Sequence, residues 1–212
     1  MLGPRVRARS GVARGGVAAA IRRATADLHV RAEQVVLATR PFDSRERYDA
    51  YLARMWGFYA RLEPALFAAI EDVIDTSGRS KLGLIRGDLE ALGWTASEIA
   101  ALPVCPSLPP LRGAHAFGVA YVLEGKTLGS RFLLAEAERA LGLGAASGAS
   151  FFAGYGADTS ARWRTFLEEL ERVVADRGCR IAVLEGARET FRVFTRWVAP
   201  LAALDETRSP PP

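Results

Sequence analysis

Apolar residues recur every three or four positions along almost the whole of this chain of 212 residues. That spacing places them on one face of an amphipathic α-helix. No segment of useful length alternates apolar and polar residues with a period of two, and no Asn-Gly pair marks a hairpin turn. The sequence therefore predicts an all-α protein, a single domain built as a bundle of about seven or eight helices. The first helix is defined by Val17, Ile21, Ala24, Leu28, Ala32 and Val35.

Proline and glycine residues divide the helical sequence into segments. Ser44 suits the N-cap of the second helix. Four prolines between positions 103 and 112 predict a loop, and several glycines between 144 and 156 predict a linker. Further helices are predicted over residues 79–93, 112–142, 158–177 and 179–203.

Positive charge is concentrated at the start of the chain. Residues 1–23 contain six arginines and no acidic residue, whereas the rest of the chain has slightly more acidic than basic residues. Because a nucleic-acid-binding protein is expected to carry basic stripes on its folded body, nucleic acid is not an expected partner. We expect a flexible, arginine-rich arm over residues 1–16, one helical domain over 17–204 and a disordered tail over 205–212.

The cysteine content and the longest apolar run bear on where the protein resides. The two cysteines, Cys105 and Cys179, are far apart and form no CxxC motif, which suits a reducing compartment. The longest apolar run, residues 116–123, is much shorter than the roughly 20 residues that a bilayer requires. The sequence therefore predicts a cytoplasmic protein that is not embedded in a membrane.

His29 is the first candidate for a functional role. His29 and Glu33 are four residues apart on the first helix, so their side chains share one face. A carboxylate beside an imidazole can fix its tautomer and orientation, as it does for histidines that bind metals. Arg22 lies two turns earlier on the same face, roughly 10 Å along the axis. This arrangement suits a flat, anionic metal cofactor, and the alternative is a half-buried histidine in a surface ion pair.

A pair of glycines is the second candidate. Gly125 and Gly129 are also four residues apart, and each costs a helix roughly 0.5–1 kcal/mol relative to alanine. One explanation is that a flat ligand approaches the bare backbone closely. The other is close packing against a second helix. The spacing does not decide between the two.

Five segments together resemble the heme oxygenase family, in its bacterial, phytochrome-associated branch. They occur in one order and the resemblance covers residues 17–203, nearly all of the predicted helical domain. The combination is more specific than any single motif. The segments are residues 25–33, 56–63, 88–93, 121–129 and 152–156.

The resemblance implies an all-α fold that holds heme between a proximal and a distal helix. His29 would be the proximal iron ligand, a neutral imidazole whose other nitrogen is held by Glu33. Gly125 and Gly129 would lie over the distal face of the heme, where the lack of side chains leaves room for O2. The implied reaction converts heme to biliverdin, CO and ferrous iron, with heme b as both substrate and cofactor.

The resemblance also implies contacts to the heme propionates and an external source of electrons. Arg22 and Tyr121 match positions that contact propionates, and Arg164 is a third candidate. The second histidine, His115, matches no functional position and is expected to be structural. The sequence has no flavin or nicotinamide motif, so electrons would come from a separate ferredoxin or reductase. A bacteriophytochrome is a candidate partner.

Three residues depart from the family pattern. Lys126 replaces a small polar residue beside the distal pocket, Ser130 replaces a glycine, and Glu168 replaces a basic propionate contact. The Lys126 nitrogen is expected to reach solvent, and the alternative is an inward orientation toward a propionate or the distal waters. With these departures in mind, one alternative to the enzyme is a heme-sequestering protein on the same fold. A second is a heme-free helical scaffold.

Overall fold

A computed structural model describes residues 16–205, except for the side chains of residues 176, 177 and 203–205. All regular structure in these residues is helical, and eight of the α-helices are five or more residues long, which confirms the predicted all-α fold. The predicted arm and tail lie outside the described residues, apart from residues 16 and 205. The α-helices are α1 (Val17–Ala38), α2 (Arg45–Ile70), α3 (Leu82–Ala91), α4 (Ala96–Ala100), α5 (His115–Gly129), α6 (Arg131–Leu141), α7 (Ser150–Ala153), α8 (Thr159–Arg177) and α9 (Arg180–Val198). Two 3-10 helices cover Gly156–Asp158 and Ala199–Asp205.

Helix ends follow local sequence signals. The Ser44 hydroxyl accepts a hydrogen bond from the Arg47 amide at 3.3 Å, which confirms the predicted N-cap of α2. The loop predicted around the four prolines is present between α4 and α5. Helix α8 ends at Gly178, whose φ of +59° is the left-handed conformation that favours glycine.

The prediction of a single helix over residues 112–142 is wrong, because the structure has two helices there, α5 and α6, which are separated at Ser130. The Ser130 hydroxyl donates a hydrogen bond of 2.8 Å to the carbonyl of Lys126, one turn earlier. Such bonds from serine to the preceding turn bend helices, and the glycines at 125 and 129 lower the resistance to bending. The break therefore falls where the sequence weakens the helix.

Helix α9 is the element that joins the two helices carrying the candidate residues, because it packs against both α1 and α5. Its contact with α5 is so close that only glycine fits. A Cβ atom at Gly118 would lie 2.0 Å from the carbonyl oxygen of Val183, and one at Gly186 would lie 2.1 Å from that of His115. These two glycines are thus explained by helix packing.

The apolar core lies between these helices and α2. It contains large, fully buried aromatic side chains, among them Tyr48, Tyr51, Tyr59, Phe117 and Phe152. No helix within residues 16–205 combines the length and apolar character needed to cross a membrane.

Candidate functional site

His29 and Glu33 form the predicted pair on α1. The Nδ1 atom of His29 lies 3.5 Å from the Oε1 atom of Glu33, and the side chains are 58% and 62% exposed. The His29 ring also meets the edge of Phe191 on α9, with ring centroids 5.6 Å apart. Its Nε2 atom makes no hydrogen bond or ion pair with the described residues. Glu33 and Phe191 thus both contact the imidazole, and its Nε2 atom is left without a partner among the described residues.

Arg22 and Tyr121 are brought together although they lie 99 positions apart in the sequence. The Tyr121 hydroxyl lies next to the Arg22 guanidinium and donates a hydrogen bond of 3.4 Å to the carbonyl of Ala18. Burial raises the pKa of Tyr121, and the neighbouring Arg22 partly offsets that rise. A cation and a phenol side by side can bind a carboxylate. Arg164, the third candidate, is exposed on α8, and no hydrogen bond or ion pair among the described residues joins it to Arg22 or Tyr121.

The structure distinguishes the two explanations for the glycine pair. A Cβ atom at Gly129 would meet nothing within 4 Å, and one at Gly125 would be 3.6 Å from the Trp163 ring, an ordinary contact. Neither position resembles Gly118, where the partner helix leaves no room. Close helix packing therefore does not account for Gly125 and Gly129.

The Lys126 nitrogen is buried, so the expectation that it reaches solvent is wrong. The Nζ atom is buried and has no hydrogen-bond partner in the described part of the chain, although the stem is partly exposed. It lies 4.1 Å from the centroid of the Phe151 ring. Burial, assisted by the positive charge of Lys81, lowers the pKa of Lys126 to about 7.

A buried cluster of charged residues fixes the position of Glu124, immediately before the first glycine of the pair. One Glu124 carboxylate oxygen pairs with Arg79 at 2.9 Å, and the other accepts a hydrogen bond of 2.7 Å from the Tyr155 hydroxyl. The Nζ atom of Lys81 lies 3.7 Å from the same oxygen as Tyr155. Because Arg79 and Lys81 precede α3 and Tyr155 follows α7, the cluster holds this turn of α5 to both of those segments.

His115 has partners for both ring nitrogens. Its Nδ1 atom lies 3.1 Å from the carbonyl of Arg112, and its Nε2 atom lies 3.2 Å from a carboxylate oxygen of Glu185. These contacts join the start of α5 to α9. They support the structural role expected for this histidine.

Exposed apolar side chains adjoin the candidate residues. Val30 follows His29 and is 51% exposed, while Leu128 and Phe132, on either side of Gly129, are 39% and 67% exposed. These three side chains are thus exposed apolar neighbours, in the sequence, of the candidate residues.

Sequence reasoning did not assign functional contacts to Phe191, Trp163 or the Glu124 cluster. In the sequence, nothing separates Phe191 or Trp163 from the other apolar residues of the predicted helices over 179–203 and 158–177. The partners Arg79 and Glu124 are 45 positions apart, and no local pattern relates them. A buried ion pair between distant elements leaves no signal in a single sequence.

Comparisons with known proteins assign the family of this chain. The sequence profile of the heme oxygenase family matches residues 16–82 and 85–200. The chain therefore belongs to the heme oxygenase family. No curated protein matches this chain.

A solved structure shares the fold. It is the heme oxygenase of Neisseria meningitidis, determined with NO and CO bound; it matches with a TM-score of 0.75 and 22% sequence identity, over 89% of this chain and 93% of that one. Family membership and fold together support heme degradation as the general activity, with heme as the substrate.

Proposed function

We propose that this protein cleaves heme b with O2 and external electrons to biliverdin, CO and ferrous iron. One observation carries the proposal beyond family membership: Gly125 and Gly129 are not required by packing, and Gly129 faces open space. Two glycines destabilise a helix relative to alanine. We infer that they are kept because they let a ligand approach the bare backbone. Heme supplies the redox-active iron and is also the molecule consumed.

His29 is proposed as the proximal ligand of the heme iron. Its Nε2 atom is available to the metal, and Glu33 beside Nδ1 favours the tautomer that carries a proton on Nδ1. The edge of Phe191 restricts rotation of the ring. These two neighbours preorganise the imidazole before heme binds.

Arg22 and Tyr121 are proposed to bind a heme propionate. The guanidinium and the phenol already lie together, so both could donate to one carboxylate without rearrangement. Arg164 is proposed as a further propionate contact from α8, where its neighbour Trp163 packs against Tyr121 with ring centroids 5.3 Å apart. The propionates would then fix the rotation of the heme about its normal and so select the edge that is cleaved.

Gly125, Gly129 and Lys126 are proposed as the residues of the distal side. The two glycines leave space for O2, and any side chain at these positions would narrow it. Glu124, which immediately precedes Gly125, is held by its buried ion pair and hydrogen bond. These contacts would hold the backbone of this turn in place. Lys126 follows the first glycine of the pair in the chain.

Electrons are proposed to come from a separate protein, a ferredoxin or a reductase, and a bacteriophytochrome is a candidate recipient of the product. A reducing, cytoplasmic location is consistent with Cys105 and Cys179, which are both unpaired thiols. His29 is more than half exposed, so heme bound there would lie within reach of a redox partner.

The test is a turnover assay with purified protein, hemin and a ferredoxin reducing system. We expect the Soret band to decay while biliverdin appears, with CO captured by ferrous myoglobin and iron by a ferrous chelator. The His29→Ala variant is the matched control. A stable heme spectrum without products would contradict the proposed reaction and favour the heme-sequestering alternative, to which the departures at Lys126, Ser130 and Glu168 point. Absence of any Soret band would favour the heme-free scaffold.

A further inference from the structure

Asp88 is a buried carboxylate that binds backbone amides of another helix. The residue lies on α3 and is 2% exposed. Its Oδ1 atom accepts a 2.8 Å hydrogen bond from the Ser150 amide, and its Oδ2 atom accepts one of 2.8 Å from the Phe151 amide. A buried carboxylate is costly unless its oxygens are hydrogen-bonded. These two bonds therefore tie the start of α7 to α3, across 62 positions of the chain.

Helix α7 has no N-terminal cap of its own. It spans only four residues, and the side chain of Ala149, which precedes it, is a methyl group that accepts no hydrogen bond. The first amides of a helix have no partner within that helix. Asp88 supplies these acceptors from α3, and the Tyr48 hydroxyl on α2 donates a 2.7 Å hydrogen bond to the carbonyl of Gly148, just before α7. The position of α7 is thus set by side chains of other helices.

The segment that Asp88 holds contacts α5 in two places. The centroid of the Phe151 ring lies 4.1 Å from the Nζ atom of Lys126. At Gly154, directly after α7, a Cβ atom would lie 2.5 Å from the Cγ2 atom of Thr127, and the φ of +58° is one that favours glycine. The backbone that follows α7 therefore packs directly against Thr127.

Thr127 lies behind the two glycines of α5. It is two residues from Gly125 and two from Gly129, and two residues turn a helix by roughly 200°. Thr127 is accordingly buried, whereas Gly129 is exposed. The two glycines and the hydrogen bond from the Ser130 hydroxyl lower the resistance of α5 to bending here. The position of this turn therefore depends on what packs behind it, which is the backbone at Gly154.

We propose, building on the function proposed above, that Asp88 is a positioning residue for the distal side. By holding the start of α7, it keeps Gly154 against Thr127 and so fixes how far the Gly125–Gly129 stretch lies from bound heme. Asp88 acts only through α7. Loss of its two hydrogen bonds lets α7 and the turn of α5 move together, and the space over the heme iron then varies in size.

The readout is the C–O stretching frequency of the ferrous CO complex, because it responds to the space and the groups around a ligand on the heme iron. Infrared spectra are compared for the wild type, Asp88→Asn, Thr127→Ser and the double variant. Asparagine keeps the size of the side chain but offers one acceptor oxygen to two amides. Serine keeps the hydroxyl of residue 127 and removes the methyl group that meets Gly154.

The matched control is Glu98→Gln on α4. The Glu98 carboxylate also accepts a hydrogen bond from a backbone amide at the start of a helix, that of Thr95 at 2.8 Å, but this pair is exposed. The control therefore changes a carboxylate at a helix start without touching α7.

We expect the C–O band of Asp88→Asn to shift and broaden relative to the wild type, while the visible spectrum still shows a histidine-ligated heme. Turnover should fall by up to about 100-fold, as a small displacement near the reacting groups can cause. Thr127→Ser should shift the band in the same direction. The double variant should shift it no further than the larger single shift, because both changes act on one contact. Glu98→Gln should keep the wild-type band.

An unchanged band in Asp88→Asn or in Thr127→Ser, with heme bound, would overturn this inference and leave the proposed function intact. Shifts that add in the double variant, or an equal shift in Glu98→Gln, would overturn it as well. If Asp88→Asn does not fold, Thr127→Ser decides, since it leaves the hydrogen bonds of Asp88 in place. A wild-type protein that takes up no heme would overturn the proposed function, and this inference with it.

Discussion

The Nδ1 atom of His29 lies 3.5 Å from the Oε1 atom of Glu33, one turn further along α1. Both side chains are more than half exposed, and exposed pairs of this kind contribute about 0–1 kcal/mol to stability. The pair therefore matters for the orientation of the imidazole more than for the fold.

From this relationship we expect His29→Ala to leave the free energy of unfolding of the heme-free protein within about 0.5 kcal/mol of the wild type. The same variant should lose the histidine-type spectrum of the ferrous CO complex and most of the turnover. Added imidazole should restore a part of both. The control is His115→Ala, which should retain the spectrum; an unchanged spectrum in His29→Ala would move the iron ligand elsewhere.

Gly129 and Gly118 provide a matched pair on α5. Gly129→Leu should fold with little change in melting temperature, because a Cβ atom there meets nothing within 4 Å, and leucine favours a helix more than glycine does. It should nevertheless reduce turnover strongly, since the side chain would occupy the space proposed for O2. Unaltered turnover in a folded Gly129→Leu protein would remove the glycines from the distal site.

The same helix offers the opposite case at Gly118. Gly118→Ala should lower the free energy of unfolding by about 1–3 kcal/mol or more, because its Cβ atom would lie 2.0 Å from the carbonyl oxygen of Val183. Thermal unfolding of the heme-free proteins measures both variants. A Gly118→Ala protein as stable as the wild type would contradict the close contact between α5 and α9.

The buried nitrogen of Lys126 predicts how stability depends on pH. An unfolded lysine titrates near 10.4, so between about pH 7 and pH 10 the unfolded chain holds a proton that the folded protein has lost. The free energy of unfolding of the wild type should therefore rise with pH across this window relative to Lys126→Met, by up to about 1.4 kcal/mol per pH unit. Below about pH 7 the difference should level off, because the amine is charged in both states.

Denaturant unfolding of the wild type and Lys126→Met at pH 6, 7, 8 and 9 measures this difference. Burial also lowers the pKa of Lys81, to about 8. Lys81 is present in both proteins, so its contribution to the pH dependence largely cancels in the difference between them. A difference that does not change from pH 7 to pH 9 would mean that the Lys126 nitrogen reaches solvent.

The contacts of the Glu124 cluster predict how much free energy of unfolding is lost when each of its members is replaced. Glu124→Ala should lower the free energy of unfolding by about 3–5 kcal/mol, because Arg79 would be left as a buried charge without its partner. Tyr155→Phe should cost about 1 kcal/mol, the value of one hydrogen bond. Glu90→Ala, which removes an exposed pair with Arg86, should cost less than about 1 kcal/mol. Equal effects of Glu124→Ala and Glu90→Ala would contradict the burial of the cluster.

The fold and most helix limits could be predicted from the sequence because the signals are local. Ser44 caps α2 and Gly178 ends α8, and each acts through its own backbone and that of its neighbours. The division of α5 from α6 was missed, since an uninterrupted apolar pattern continues across Ser130. There a single side-chain hydrogen bond, rather than any change of periodicity, ends the helix.

What the sequence alone determined is the set of residues that share a helix face: His29 with Glu33, and Gly125 with Gly129. Their relation is fixed by the helical repeat, which needs no partner element. Only the tertiary structure decided which glycines are packed and which are open, that Arg22 lies against Tyr121, and that the Lys126 nitrogen is buried. The reason is physical: free space and burial depend on the elements that lie opposite, and those elements are brought there by contacts between residues far apart in the chain.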